Sequence, residues 1–252
     1  MHEFHEKQFL DWIAPVSKEK FLGKLVLDAG CGQGRHASLA SKYGAKMVFG
    51  IDISDSVDVA YQNTKHLPNV CIVQADIRDL PFRDKSFDYA YSIGVLHHMP
   101  APERGFDALV RSVNKKGSLS AWVYGRQSLA VRFFDLARRT VLAHLPLSAN
   151  YAISFLISLA AYPLIHGVYV PLNNSRRLRP IASKLPLGAF MTYLGKMPFR
   201  MLHEILYDQC IAPIALYFSK DEFAQWFNKP SIATFSVTER NKNSWRGYAL
   251  MR

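Results

Sequence analysis

The chain has 252 residues, of which 49% are apolar and 20% charged, enough to bury one sizeable core and too apolar for an intrinsically disordered segment. Three cysteines, Cys31, Cys71 and Cys210, are too few and too scattered for a disulfide framework or a zinc cluster; they suit a reducing cytosol, and no metal is expected. The formal net charge is +11, and the stretch from Arg126 to Ser219 supplies much of it, with ten Arg or Lys against Asp135, Glu204 and Asp208, a net +7.

In chain order, the opening residues Met1 to Lys7 lack a basic run followed by an apolar one, so no secretory signal is expected. Leu25 to Gly30 is a short apolar run ending in glycines, the pattern of a buried strand entering a tight turn. Arg35 to Tyr43 has helical spacing and stops at Gly44. Met47–Ile51 is a second strand, followed by a helix capped by Ser54 or Asp55 and running to about His66. Strands follow at Val70–Val73 and Phe87–Ile93, then a helix from about Pro102 to Val113 and a fifth strand from Ser118 to Tyr124. Repeated strand–helix units of this kind specify a parallel sheet covered on both faces. After Gly125 the pattern turns helical or irregular, punctuated by prolines at 146, 163, 171, 180, 186, 198 and 213. Ser219-Lys220-Asp221-Glu222 reads as a capping box opening a helix through Phe227, and two strands close the chain, Ile232–Thr238 and Trp245–Leu250. The expected division is a sheet domain of residues 1–125 and 219–252, with a helical insertion of residues 126–218.

Chemistry concentrates at strand ends. Asp28-Ala29-Gly30-Cys31-Gly32-Gln33-Gly34 follows a strand and opens a helix, so glycines allow close backbone approach and the helix start offers unpaired N–H groups. Gly32-Gln33-Gly34-Arg35-His36-Ala37 also fits a dinucleotide fingerprint, which keeps an NAD-dependent oxidoreductase as a rival reading. Two further acids stand at later strand ends, Asp52 and Asp76. Ligands of open α/β sheets bind outside the carboxyl ends of the strands, so the three carboxylates face one crevice. There Asp52 can accept ribose hydroxyls and Asp76 an adenine amino group.

Asp28-x-Gly-x-Gly-x-Gly34, Asp52, Ala75-Asp76-Ile77-Arg78-Asp79-Leu80-Pro81-Phe82 and Ser92-Ile93-Gly94-Val95-Leu96-His97-His98 resemble class I S-adenosylmethionine-dependent methyltransferases. Within that class they are most similar to the type 11 group, which includes the ubiquinone/menaquinone C-methyltransferases. The resemblance covers about Leu25 to Gly125 and the final helix and strands. It implies an α/β, Rossmann-like seven-stranded sheet with the last strand antiparallel, and S-adenosylmethionine as cofactor with S-adenosylhomocysteine as product. It also implies that Gly30, Gly32 and their neighbours Cys31, Gly34 and Ser92 line the cofactor, with Asp28 orienting the loop and helping to hold the ammonium group. Asp52 would bind ribose, Ile53 pack on the adenine face, and Asp76 and Ile77 read its edge. His97 and His98 follow the fourth strand, next to the expected methyl position, and an imidazole titrating near neutrality suits a base.

Around that site, Arg35 and His36 reach either the cofactor carboxylate or neighbouring packing. Phe4, His5 and Trp12 belong to an N-terminal helix over the cofactor or packed on the sheet. Trp245 reads as packing, with Arg246 a candidate for the substrate mouth. From Thr140 to Ser175 there is no Asp, Glu, Lys or Arg, and Pro163, Gly167 and Pro171 interrupt the apolar run too early for a comfortable membrane span. Arg138-Arg139 and Arg176-Arg177-Leu178-Arg179 flank it. A lid, a homodimer interface and peripheral contact with anionic lipid all remain open. Each presents a broad apolar wall, so the expected acceptor is a hydrophobic small molecule or lipid-like compound. The strand-four sequence lacks the Asn/Asp-Pro-Pro-aromatic signature of base-amino methylation, which argues against nucleic acid. A cofactor-binding scaffold without turnover is the non-enzymatic alternative.

Overall fold

The computed structural model describes residues 2–125, 129–182, 185, 188–241 and 243–252. Arg126, Lys184 and Pro186 lie outside the described residues, as do the side chains of Phe4 and Arg132. The chain divides into two compact units, one of Met1–Tyr124, Leu216–Glu239 and Trp245–Arg252, the other of Gly125–Ala215 and Arg240–Ser244.

The first unit is built on seven strands: β1 (Leu25–Ala29), β2 (Met47–Asp52), β3 (Val70–Gln74), β4 (Phe87–Ile93), β5 (Val113–Tyr124), β6 (Ile232–Arg240) and β7 (Ser244–Met251). They lie in the order β3-β2-β1-β4-β5-β7-β6, with β1 to β5 mutually parallel and β7 antiparallel. The expected sheet is therefore present. Because β1 is covered on both sides, it is apolar at nearly every position, and its alternate residues feed two separate cores. Leu27 joins Phe87, Phe106 and Phe227 on one face, whereas Val26 joins Phe9, Phe21 and Tyr91 on the other.

Helices α1 (His2–Trp12), α2 (Arg35–Lys42), α3 (Ser56–Thr64) and α4 (Pro102–Ser112) complete the first half. The start of the fifth strand differs from the sequence reading. β5 begins at Val113, five residues early, because Val113 pairs with Phe87 across a register shift before the regular ladder resumes at Tyr89 and Ser118. Helix α3 begins at Ser56 with Asp55, one of the two expected caps, at its N-cap position, while Ser54 is committed to the Asp52 carboxylate.

The second unit holds α5 (Leu129–Thr140), α6 (Leu147–Leu164), α7 (Val170–Asn174), α8 (Arg179–Ala182), α9 (Gly188–Leu194) and α10 (Phe199–Ile211). A π-helical stretch, Ile165–Tyr169, joins α6 to α7, so Leu147–Asn174 is one continuous helix of 28 residues. Here the expected interruption is absent. Pro163 and Pro171 each lack an amide hydrogen, and the widened π turn between them absorbs the change in hydrogen-bond register. Helix α11 (Lys220–Gln225) then returns the chain to the sheet unit through a complete capping box. In it the Glu222 N–H donates to Ser219 Oγ (3.2 Å) while the Ser219 N–H donates to Glu222 Oε2 (2.7 Å).

Candidate active site

The strand order reverses between β1 and β4, and the loops leaving their carboxyl ends form the crevice of an open α/β sheet. Three glycines shape the first loop, each for a separate reason. Gly30 has φ +88, and a Cβ there would lie 2.2 Å from Val95 Cγ2, so the loop after β1 rests directly on the loop after β4. Gly32 has φ +50 and open space where a side chain would stand. Gly34 has φ +80 and caps α2, and a Cβ there would lie 3.2 Å from Ala60 on α3. The N–H groups of Gly30 and Cys31 both donate to the Ile51 carbonyl (2.8 Å each), which hooks the loop onto the end of β2.

The three carboxylates have different surroundings. Asp28 is buried, and burial pushes its carboxyl up to about 7, offset in part by the Tyr91 hydroxyl. Among the described residues its Oδ2 has no hydrogen-bond partner, nor does Ser92 Oγ on the adjacent strand. Buried polar atoms are seldom left so, and a polar ligand at these strand ends would supply partners. Asp52 braces the glycine loop: its Oδ2 accepts from the Gly32 N–H (2.9 Å) and its Oδ1 from the Ser54 N–H (3.0 Å) and hydroxyl (2.7 Å). Each oxygen keeps acceptor capacity. Asp76 is gripped by Arg78, whose Nε lies 3.0 Å from both carboxylate oxygens and whose Nη2 lies 2.5 Å from Oδ2. The Arg78 hydrogen bonds hold the Asp76 carboxyl below its ordinary range.

The remaining positions separate into crevice and packing. Ile53 is exposed at the end of β2, whereas the Ile77 side chain is buried in the core. Cys31 packs against Gly50, and burial raises its thiol. His36 stacks on Phe9 of α1, 5.0 Å between centroids, and burial lowers its imidazole to about 3. Arg35 lies between His5 (3.2 Å) and His36 (3.4 Å). Trp12 tilts against Trp122, and Trp245 donates its indole N–H to the Phe218 carbonyl (2.8 Å). Arg246 pairs with Asp11 of α1 at 2.7 Å.

Beyond β4 the two histidines diverge. His97 is fully buried with neither ring nitrogen hydrogen-bonded, 3.8 Å from the Tyr124 ring centroid, and burial holds its pKa far below the ordinary value. His98 is half-buried beside it, 4.3 Å between ring centroids. Trp122 and Tyr217 extend this aromatic wall through Tyr124. The sequence reading missed Val95, Tyr91, Arg78 and Phe9 as site-shaping residues. Of these, only Arg78, two residues after Asp76, carried a local signal.

Such a crevice, at the switch point of this seven-stranded sheet, defines the class I methyltransferase fold. Residues 27–121 match the family described as a methyltransferase domain. The chain resembles, over its whole length, a possible histamine N-methyltransferase from Thermotoga maritima (TM-score 0.54, 14% identity, 91% of that chain). It likewise resembles the magnesium protoporphyrin IX methyltransferase of Synechocystis PCC 6803 (TM-score 0.52, 14% identity, 80% of that chain). At these identities the likeness concerns the fold. Among curated relatives, a tRNA U34 carboxymethyltransferase of Methylococcus capsulatus is 38% identical over 101 residues, 39% of this chain and 29% of that protein. A probable phthiotriol/phenolphthiotriol dimycocerosates methyltransferase 2 of Mycobacterium ulcerans is 37% identical over 79 residues, 31% of each chain. The chain thus spans about three-tenths of the length of these relatives. It carries an S-adenosylmethionine-dependent methyltransferase domain of the type 11 group, whose cofactor is S-adenosylmethionine. That assignment decides the two readings of the glycine loop in favour of the methyl donor.

Two outcomes test this geometry. Gly30→Ala forces a side chain into Val95 at a positive φ and should cost about 2–4 kcal/mol of stability, read from the urea midpoint. Asp28 keeps a proton in the folded chain up to about pH 7, whereas its ordinary value is 3.8. The unfolded state has lost that proton by then, so this group costs stability as pH rises from about 4 to 7. Between pH 5 and 8 the wild type should lose up to about 3 kcal/mol relative to Asp28→Asn, and parallel urea curves for the two proteins would refute the burial argument.

Proposed function

We propose that the protein transfers the methyl group of S-adenosylmethionine to an O, N or C nucleophile of a hydrophobic small-molecule or lipid-like acceptor. The observation that carries this reading is the wall of His97, His98, Trp122, Tyr124 and Tyr217 beyond β4 and β5, where the acceptor must approach. Aromatic faces of this kind favour an apolar or planar partner.

In this reading the open space at Gly32 takes the methionine portion, and Asp28, with its spare buried oxygen, receives the ammonium group. Asp52 accepts the ribose hydroxyls with the lone pairs left over from Gly32 and Ser54. Ile53 covers the adenine, while Asp76 and the Ile77 backbone read its edge after Arg78 shares or releases the carboxylate. The sulfonium cofactor supplies an activated methyl and a good leaving group, so the protein's work is alignment, exclusion of water and removal of a proton. His98 is the better-placed base, since it reaches solvent. His97, neutral and buried, positions Tyr124 and His98.

RNA is the rival acceptor, favoured by the tRNA-modifying relatives and by the basic charge. Against it stand the β4 end Ser92-Ile93-Gly94-Val95, which is not the Asn/Asp-Pro-Pro-aromatic signature of base-amino methylation, and the small part of those relatives that is matched.

Asp52→Ala should weaken S-adenosylhomocysteine binding by about 1–3 kcal/mol in calorimetry, the cost of stranding its hydrogen-bonding partners. Unchanged affinity would remove Asp52 from the ribose site. With methyl-labelled S-adenosylmethionine and fractionated cell extract, label should enter the organic-extractable, nuclease-resistant fraction. Label recovered only in RNA would replace this acceptor class with the rival.

A further inference from the structure

We infer that the helical unit docks in the plane of an anionic lipid bilayer, through the outer face of its Leu147–Asn174 helix. This goes beyond the methyl-transfer reading and does not rest on it.

The helix contains no Asp, Glu, Lys or Arg, and its most apolar window has a mean hydropathy of 1.7 with only 22% buried. Over α6 its polarity is inverted, whereas beyond it Ile165 and Tyr169 are buried. Asn150, Ser154 and Ser158, four residues apart, form the buried stripe, where Ser154 Oγ pairs with His203 Nε2 of α10 at 3.1 Å. The Asn150 amide donates to the Leu142 carbonyl (2.9 Å) and the Ser158 hydroxyl to the Ser154 carbonyl (2.6 Å). On the other side, Leu156 and Leu159 are 63% and 55% exposed, and towards the ends of α6 Leu147 and Leu164 are 64% and 49% exposed. A helix facing water buries its apolar stripe and exposes its polar one. The reverse arrangement, with small polar residues as the helix–helix contact and leucines outward, suits hydrocarbon.

Charge names the occupant. Arg176, Arg177 and Arg179 are all exposed immediately past the helix, with exposed Leu178 and Ile181 among them. No acidic residue occurs from 136 to 203, while eight basic ones do. Apolar side chains ringed by arginines match the acyl boundary and the phosphates of an anionic leaflet. Spanning is disfavoured by α10. Its Phe199 lies against Phe155 and Tyr162, midway along the long helix, and beside it the Arg200–Glu204 ion pair has side chains 90% and 57% exposed. A transmembrane placement would bring that pair to the depth of the hydrocarbon, whereas an in-plane placement leaves it in water.

The test is flotation of the full chain with phosphatidylcholine/phosphatidylglycerol vesicles against pure phosphatidylcholine. Flotation is expected with the anionic vesicles, reduced by high salt, and at least about tenfold weaker in partition for R176Q/R177Q/R179Q. L156E/L159E, at exposed positions, should abolish it while S-adenosylhomocysteine binding, read by calorimetry, persists. Absence of flotation overturns the inference, and a dimer dispersed by L156E/L159E in light scattering would then identify a second copy as the occupant. Flotation indifferent to L156E/L159E also overturns it, leaving only adhesion by charge.

Discussion

A bare Cα at Gly30 resting on Val95 joins the two loops on which the cofactor crevice depends. The sheet reverses its order between β1 and β4, and at that reversal only a residue without a side chain lets the chain leaving β1 cross the chain leaving β4 so closely. From there the loop is drawn to β2 by two N–H groups on the Ile51 carbonyl and by the Asp52 carboxylate on the Gly32 N–H. The helix that follows is then aimed by Gly34. Acidic residue, glycine loop and helix start thus act as one mechanical piece.

The site stores polar groups at a cost to stability. Asp28 and Ser92 keep unpaired buried oxygens, and His97 keeps two unpaired ring nitrogens. Burial keeps the Asp28 carboxyl partly protonated near neutrality and the His97 imidazole neutral. Desolvated groups of this sort gain most from a complementary ligand, because each new hydrogen bond forms in a low-dielectric place already cleared of water. Asp76 is held differently, already satisfied by Arg78, so it exchanges one partner for another.

The two units differ in what they expose, although both bury apolar side chains, Ile165, Leu194 and Leu202 among them in the helical unit. In the sheet unit, Leu27, Phe87, Phe106 and Phe227 are inside. In the helical unit, α6 turns Asn150, Ser154 and Ser158 inward and Leu156 and Leu159 outward. The net +7 of Arg126–Ser219 flanks those outward leucines in the sequence.

Periodicity and turn chemistry were enough to read the strands, the capping box, the glycine loop and the three carboxylates directly from the sequence, because each is a local property of a few neighbouring residues. Tertiary structure decided what depends on partners distant in the chain. Arg35 and His36 could have reached the cofactor; instead the His36 ring stacks on Phe9 and Arg35 lies between His5 and His36. His97 and His98 look equivalent in sequence, yet tertiary packing buries the His97 ring against Tyr124 and Trp122 and leaves the His98 ring partly accessible. Pro163 and Pro171 suggested broken helices, and the π turn between them, stabilised by packing around Ile165 and Tyr169, kept the helix whole. The direction in which the apolar helix faces was likewise invisible in its composition, since a stripe of Asn150, Ser154 and Ser158 becomes an inside only when His203 arrives from 45 or more residues away to meet it.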